Sequence, residues 1–194
     1  MVNSVGINEL RLLEKASVLY EDGEFDAAFP LYKKLAESGN VQCQTVLGWM
    51  FETGNGADLS LDKAKLWYSL ASKSGDAAGS FYLGKLYIET KNHGDAYKAF
   101  KLAAEQNYMP AIYRIGLMEY GGVGIETDKN SAYKNIKYAR KLGHIFAYKT
   151  EAVMLMRGVN GFLGRIRGGL MYIYILMVGP IIGARNPMSD RVRD

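Results

Sequence analysis

One cysteine, two histidines and two tryptophans are all that this chain of 194 residues holds of those types. A lone Cys43 excludes an intramolecular disulfide and any cysteine-built metal site, and it suits a reducing cytoplasm. His93 and His144 fall in no HxxxH or HExxH spacing, so a histidine metal site has no support. Lys and Glu are missing from residues 157–194, which hold six Arg and two Asp. The remainder holds 18 basic and 18 acidic residues, so the net charge of +4 sits wholly in the tail. That distribution is not that of a uniformly basic nucleic-acid binder, and the tail has no aromatic–basic interleaving, so no nucleic-acid partner is expected. The opening MVNSVGINELRLLEKA has no charged stretch followed by an apolar one, so export by a signal peptide is not expected.

Catalytic apparatus is equally scarce. GSFYLGKL (79–86) matches GxxxxGK, but Leu86 stands where a phosphate loop needs Ser or Thr, and the segment reads as helix. GGVG (121–124) falls where a turn is required. Acidic residues read mostly as solvated helix faces, with no two carboxylates placed to share a pocket. Cys43 reads as a small buried hydrophobe. No catalytic, cofactor-binding or metal-binding residue is assigned, and no cofactor is expected.

What is present is a rhythm. Ala28, Ala64, Ala96 and Ala132 are spaced 36, 32 and 36 residues apart. Gly39, Gly75, Asn107 and Gly143 keep the same spacings, as do Gly48, Gly84, Gly116 and Ala152. A period in the thirties predicts stacked two-helix units, each burying its neighbours' apolar faces. Gly48, Gly84 and Gly116 lie inside the apolar runs TVLGWMF, FYLGKLY and YRIGLME. Glycine inside a helix costs roughly 1 kcal/mol against Ala, a cost that a close helix crossing explains. The alanines read as complementary small sites on the second helices. Gly39, Gly75 and Gly143 read as left-handed helix ends, with Asn107 the next best residue for that backbone. FETGNGADLSLDKA (51–64) and EYGGVGIETDKNSA (119–132) are looped turns, after which Asp62 and Asp128 favour a helix start.

LGWMFETGNGADLSLDKAKLWYSLASKSGDA (47–77) resembles the Sel1-like repeat, which reads roughly LGxMYxxGxGVxxDxxKAxxWYxxAAxxGxxxA. IGLMEYGGVGIETDKNSAYKNIKYARKLGH (115–144) is a second copy, with Asn135 and Ile136 where Trp67 and Tyr68 stand in the first. The units at 12–39 and 80–107 lack the four-residue insertion and look like tetratricopeptide repeats. The resemblance implies an all-α, right-handed α-solenoid of antiparallel helix pairs over residues 1–157, with about four pairs and a final first helix. Residues 158–194 would form an apolar helix and a basic tail. In such stacks the first helices line a concave groove. Counting by register then places Tyr20, Thr45, Trp49, Glu52, Phe81, Lys85, Tyr113, Tyr120 and Lys149 on it. Aromatic anchors with few charges suit a peptide or protein ligand. The implied function is a non-enzymatic interaction scaffold in a bacterial cytoplasm, with Glu52 and Lys85 orienting the ligand. Trp49→Ala would then weaken capture with little loss of thermal stability.

The C-terminal stretch leaves three readings open. Residues 168–184 carry no charge, and Arg165, Arg167 and Arg185 flank them. The run could be a helix capping the last repeat. It could be a membrane-surface segment, with its arginines at anionic head groups at the inner membrane. It could also dock on a partner or a second copy. Arg165, Arg167, Tyr172, Tyr174 and Arg185 are the candidate contacts. The second reading would suit an assembly or regulatory factor for cell-envelope or surface-polysaccharide machinery; an effector-neutralising immunity protein is a further option the resemblance implies.

Overall fold

The computed structural model describes the backbone of residues 4–185 and the side chains of residues 7–177. Ten helices are present among them and no strand. In order they are α1 (Ser4–Glu21), α2 (Phe25–Glu37), α3 (Val41–Thr53), α4 (Leu61–Lys73) and α5 (Ala77–Glu89). There follow α6 (His93–Glu105), α7 (Met109–Gly121), α8 (Lys129–Lys141), α9 (Ala147–Met156) and α10 (Gly161–Arg185). The chain divides into two compact units, residues 1–111 and 112–194.

In the first unit the pairs α1–α2, α3–α4 and α5–α6 stack in order, with α2 against α3 and α4 against α5. The turns are set by local backbone need. Gly39 and Gly75 have φ of 98° and 85°, and Asn107 takes 58°, the left-handed region that glycine or asparagine enters most cheaply. Asn40 and Asp76 then cap the next helices by accepting from the backbone N–H of Cys43 and Gly79. In the long loop before α4 the cap is Ser60, while Asp62 lies in the first turn.

The interior is small residues against rings. A Cβ on Gly48 would lie 2.6 Å from the Tyr68 ring, and one on Gly84 would lie 2.6 Å from the Phe100 ring. Each ring stands four residues after the register alanine, so it is the next turn of the partner helix that lies over the glycine. Ala28, Ala64 and Ala96 are fully buried. Cys43 is buried as well, and desolvation pushes its thiol up to about 11.

The second unit repeats the scheme. Asp128 caps α8 by accepting from the N–H groups of Asn130 and Ser131, and Ile136 fills against Gly116 the place that Tyr68 fills against Gly48. α8 packs on α9, and α9 on α10. The apolar C-terminal run is thus the second helix of a fifth pair. Here the glycine has changed sides. Ala152 stands on the first helix, and a Cβ on Gly168 of the second would meet the Ala152 carbonyl oxygen at 2.7 Å. Among the described residues no helix is long and apolar enough to cross a membrane.

Two acidic residues depart from the solvated-face expectation. Glu119 is buried and accepts from the Ser131 hydroxyl at 2.9 Å and the Asn135 amide at 2.8 Å. Glu151 is fully buried, 2.6 Å from Arg140 Nε and 3.6 Å from Arg167. Their partners lie on neighbouring helices, and these hydrogen bonds and opposite charges offset part of the cost of burying a carboxylate.

Candidate functional site

The candidate surface of the first unit is built from the first helices of its pairs, α1, α3 and α5. Near the end of α1, Tyr20 meets Trp49 of α3 edge-on at 5.5 Å and Phe25 at 5.4 Å. Trp49 also packs 6.1 Å from Phe25 and is half-buried against the core. Part of its surface therefore belongs to the stack, so Trp49→Ala costs stability as well as contact area. One turn on, Glu52 accepts from the Tyr68 hydroxyl at 2.5 Å. Tyr68 stacks on Tyr82 of α5 with centroids 5.4 Å apart, and Lys85 lies 5.8 Å over the Tyr82 ring.

Tyr82 thus stands between a carboxylate and an ammonium group. Desolvation first, and the Glu52 charge second, raise its phenol above the ordinary value. Tyr20 is raised by burial and by the neighbouring phenols Tyr32 and Tyr82. Register counting outward from Gly84 reaches Phe81 and Lys85 and steps over Tyr82. Phe81 instead joins a ring cluster with Phe100 at 5.6 Å and Tyr108 at 5.3 Å. Thr45 is buried, and its hydroxyl donates to the capping Asp76 carboxylate at 2.6 Å. A shallow depression of about 500 Å³ lies elsewhere in this unit, between the α1–α2 turn and the glycine loop at Gly54–Gly56.

In the second unit Tyr113 stacks on His144 at 3.9 Å and shares a hydrogen bond with Thr150 at 2.9 Å. Burial, and then Arg114, depress the His144 imidazole below its ordinary range. Tyr120 is half-buried, and Lys149 is exposed on α9. Of the C-terminal candidates, Arg165 is exposed, Tyr172 is half-buried, and Tyr174 is exposed with its ring 6.0 Å from Tyr148. Arg167 reaches back to Glu151. The Arg185 side chain lies outside the described residues. Among the described residues no three His, Cys, Asp or Glu side chains are grouped to hold a metal ion.

Comparison with known proteins agrees with this architecture. The Sel1 repeat model matches residues 41–76 and 110–144. A sel1-like repeat-containing protein of Acanthamoeba polyphaga mimivirus is 28% identical over 51% of this chain and 25% of its own length. The DAP3-binding cell death enhancer 1 of Mus musculus is 33% identical over 48% of this chain and 19% of its own. The chain therefore spans about a quarter or less of the length of these curated relatives. The crystal structure of a Sel1 repeat protein from Oxalobacter formigenes superposes with a TM-score of 0.74 at 24% identity, covering 82% of this chain and 68% of that one.

Proposed function

Because the chain carries two Sel1 repeats and is a Sel1-like repeat protein, we propose that it is a scaffold whose α1–α3–α5 face holds a segment of another polypeptide. Proteins of this kind are in general protein-interaction scaffolds. One mouse relative is itself named for binding a protein. The observation that carries the reading is a set of half-buried rings, Tyr20 against Trp49 and Tyr82 stacked on Tyr68, with Glu52 and Lys85 beside them. Half-buried aromatic rings held by their neighbours offer contact area with little entropy left to lose, which is how interface anchors work. Glu52 and Lys85 give that area a direction. A ligand with an apolar residue over Tyr82, a basic group toward Glu52 and an acidic one toward Lys85 matches both charges, and the reversed ligand opposes both.

The chemistry of this face is recognition. The Tyr68 and Tyr82 phenols on it are held neutral by burial, which suits contact with a ligand. The test is site-specific photo-crosslinking of the full chain in its native cells. A photoreactive residue at position 52 or 85 should capture a defined segment of another protein, whereas one at Lys98, on the outer face of α6, should not. Equal or absent capture at all three positions contradicts the reading.

A further inference from the structure

We propose that the outward face of α10 seats the chain on an anionic lipid surface, lying flat among the head groups. One helical stripe differs between α10 and the other four second helices. Two, five and nine residues after the register alanine, α6 carries Lys98, Lys101 and Glu105, all exposed. At the same offsets α8 carries Lys134, Lys137 and Lys141, and α2 carries Pro30, Lys33 and Glu37. In α4 the set is Leu66, Ser69 and Lys73. This is the stripe that earlier pairs leave in water. In α10 Gly168 lies over Ala152 as Tyr68 lies over Gly48, so the register alanine corresponds to Gly164 and the same offsets give Ile166, Gly169 and Ile173. Leu163, Leu170 and Met177 lie on the same side of the helix and widen Ile166 and Ile173 into one apolar stripe. These five side chains are between 49% and 78% exposed.

The rotation of α10 is fixed from beneath. The Gly168 crossing brings its backbone onto α9, and Arg167 reaches the buried Glu151 at 3.6 Å. The stripe cannot turn inward without breaking both. A further helix pair stacked in line would not cover it either. In α4 the side that receives α5 is marked by Ala71 against Gly79 and by Ser72 against Ser80. The equivalent positions of α10 are Met171 and Tyr172, both half-buried and on the opposite side of the helix from the stripe.

Charge decides what does cover it. At 100° per residue Arg165 and Arg167 lie about 200° apart around the axis, one on each border of the apolar stripe. Between Glu151 and Asp190 the sequence has no acidic residue, and Glu151 is buried beneath Arg140 and Arg167. A second copy docked α10 against α10 would bring arginines toward arginines and no carboxylate to either. An anionic bilayer supplies both an apolar layer for the stripe and phosphates for the arginines. Tyr174, exposed near the border, is the residue type that settles at head-group depth.

Co-sedimentation of the full chain with vesicles tests this. The chain should pellet with vesicles of phosphatidylcholine mixed with phosphatidylglycerol and stay in solution with phosphatidylcholine alone. Ile173→Glu and Leu170→Glu should each weaken binding about tenfold or more, the loss expected for withdrawing one large apolar side chain. Arg165→Gln should weaken it about fivefold and leave the apolar stripe intact. Circular dichroism identical to the parent verifies that each variant is folded. A full chain that stays in solution with the anionic mixture overturns the proposal. So does pelleting that Ile173→Glu leaves unchanged, or a dimer in light scattering that Ile173→Glu converts to monomers. None of these outcomes touches the α1–α3–α5 face.

Discussion

Two adjacent glycines in α10 give the sharpest contrast in the molecule. Replacing either by Ala inside a helix gains about 0.5–1 kcal/mol in propensity. At Gly169 nothing lies within 4 Å of the added Cβ, so the gain is kept. At Gly168 the Cβ would meet the Ala152 carbonyl oxygen and the Met156 nitrogen at 2.7 Å, and Leu155 Cβ at 2.8 Å. Two of the three are backbone atoms and cannot rotate away. Relief requires α10 to lift from α9 by a sizeable fraction of an ångström. A radial gap of about 0.5–1 Å forfeits a quarter to a half of each dispersion contact along the pair, and overpacking of this kind typically costs about 1–3 kcal/mol. The net effect of Gly168→Ala is a loss of about 1–2 kcal/mol, against a gain of about 0.5–1 kcal/mol for Gly169→Ala. Urea unfolding followed by circular dichroism at constant m resolves that difference, and in a chain of this length it corresponds to a Tm separation of about 3–12 °C. If Gly168→Ala stabilises the chain as much as Gly169→Ala does, α9 and α10 do not cross at Gly168, and the fixed rotation of α10 is lost with it.

Glu151→Gln removes the negative charge between Arg140 and Arg167 without changing volume much. Breaking a buried pair costs about 3–5 kcal/mol, and the partial exposure of both arginines places this one toward or below the low end; a urea midpoint equal to the parent's would show that the buried pair contributes nothing. Burial holds the Tyr20, Tyr32, Tyr68, Tyr82 and Tyr108 phenols above their ordinary value of 10, so the folded chain keeps protons that the unfolded chain releases. Stability is therefore full below about pH 10 and falls above it, and phenolate absorbance should rise together with loss of helix rather than before it. Native Cys43, buried and with its thiol pushed up to about 11, should resist an aromatic disulfide reagent at pH 8 and react fully in urea; rapid labelling of the folded chain would contradict its placement.

The parts of the fold that were legible are those set by local backbone chemistry. Gly39, Gly75, Asn107 and Gly143 were expected in the left-handed region and all four are there, because a helix end asks the same of any sequence. Gly48, Gly84 and Gly116 marked crossings, though the atom above each is a ring or branched side chain one turn beyond the expected alanine. The face was harder to read. Counting from Gly84 steps over Tyr82, and nothing in the spacing reveals that Tyr68 stacks on it from the partner helix. Thr45 sits at a face position by register, but its hydroxyl is engaged by Asp76 from the next pair. Glu119 and Glu151 looked like surface charges because their partners come from other helices. In α10 the apolar run was plain, yet the sequence contains no sign of which side faces outward until Gly168 fixes the rotation.

Ligand recognition by the α1–α3–α5 face is tested most directly by selecting displayed random peptides on the purified full chain and titrating the winners against variants. Lys85→Glu should cost at least about tenfold in affinity with an unchanged melting temperature, and its best new ligands should carry a basic residue where the parent's carried an acidic one. Peptides that bind the parent and Lys85→Glu equally well would place the binding surface somewhere else on the molecule.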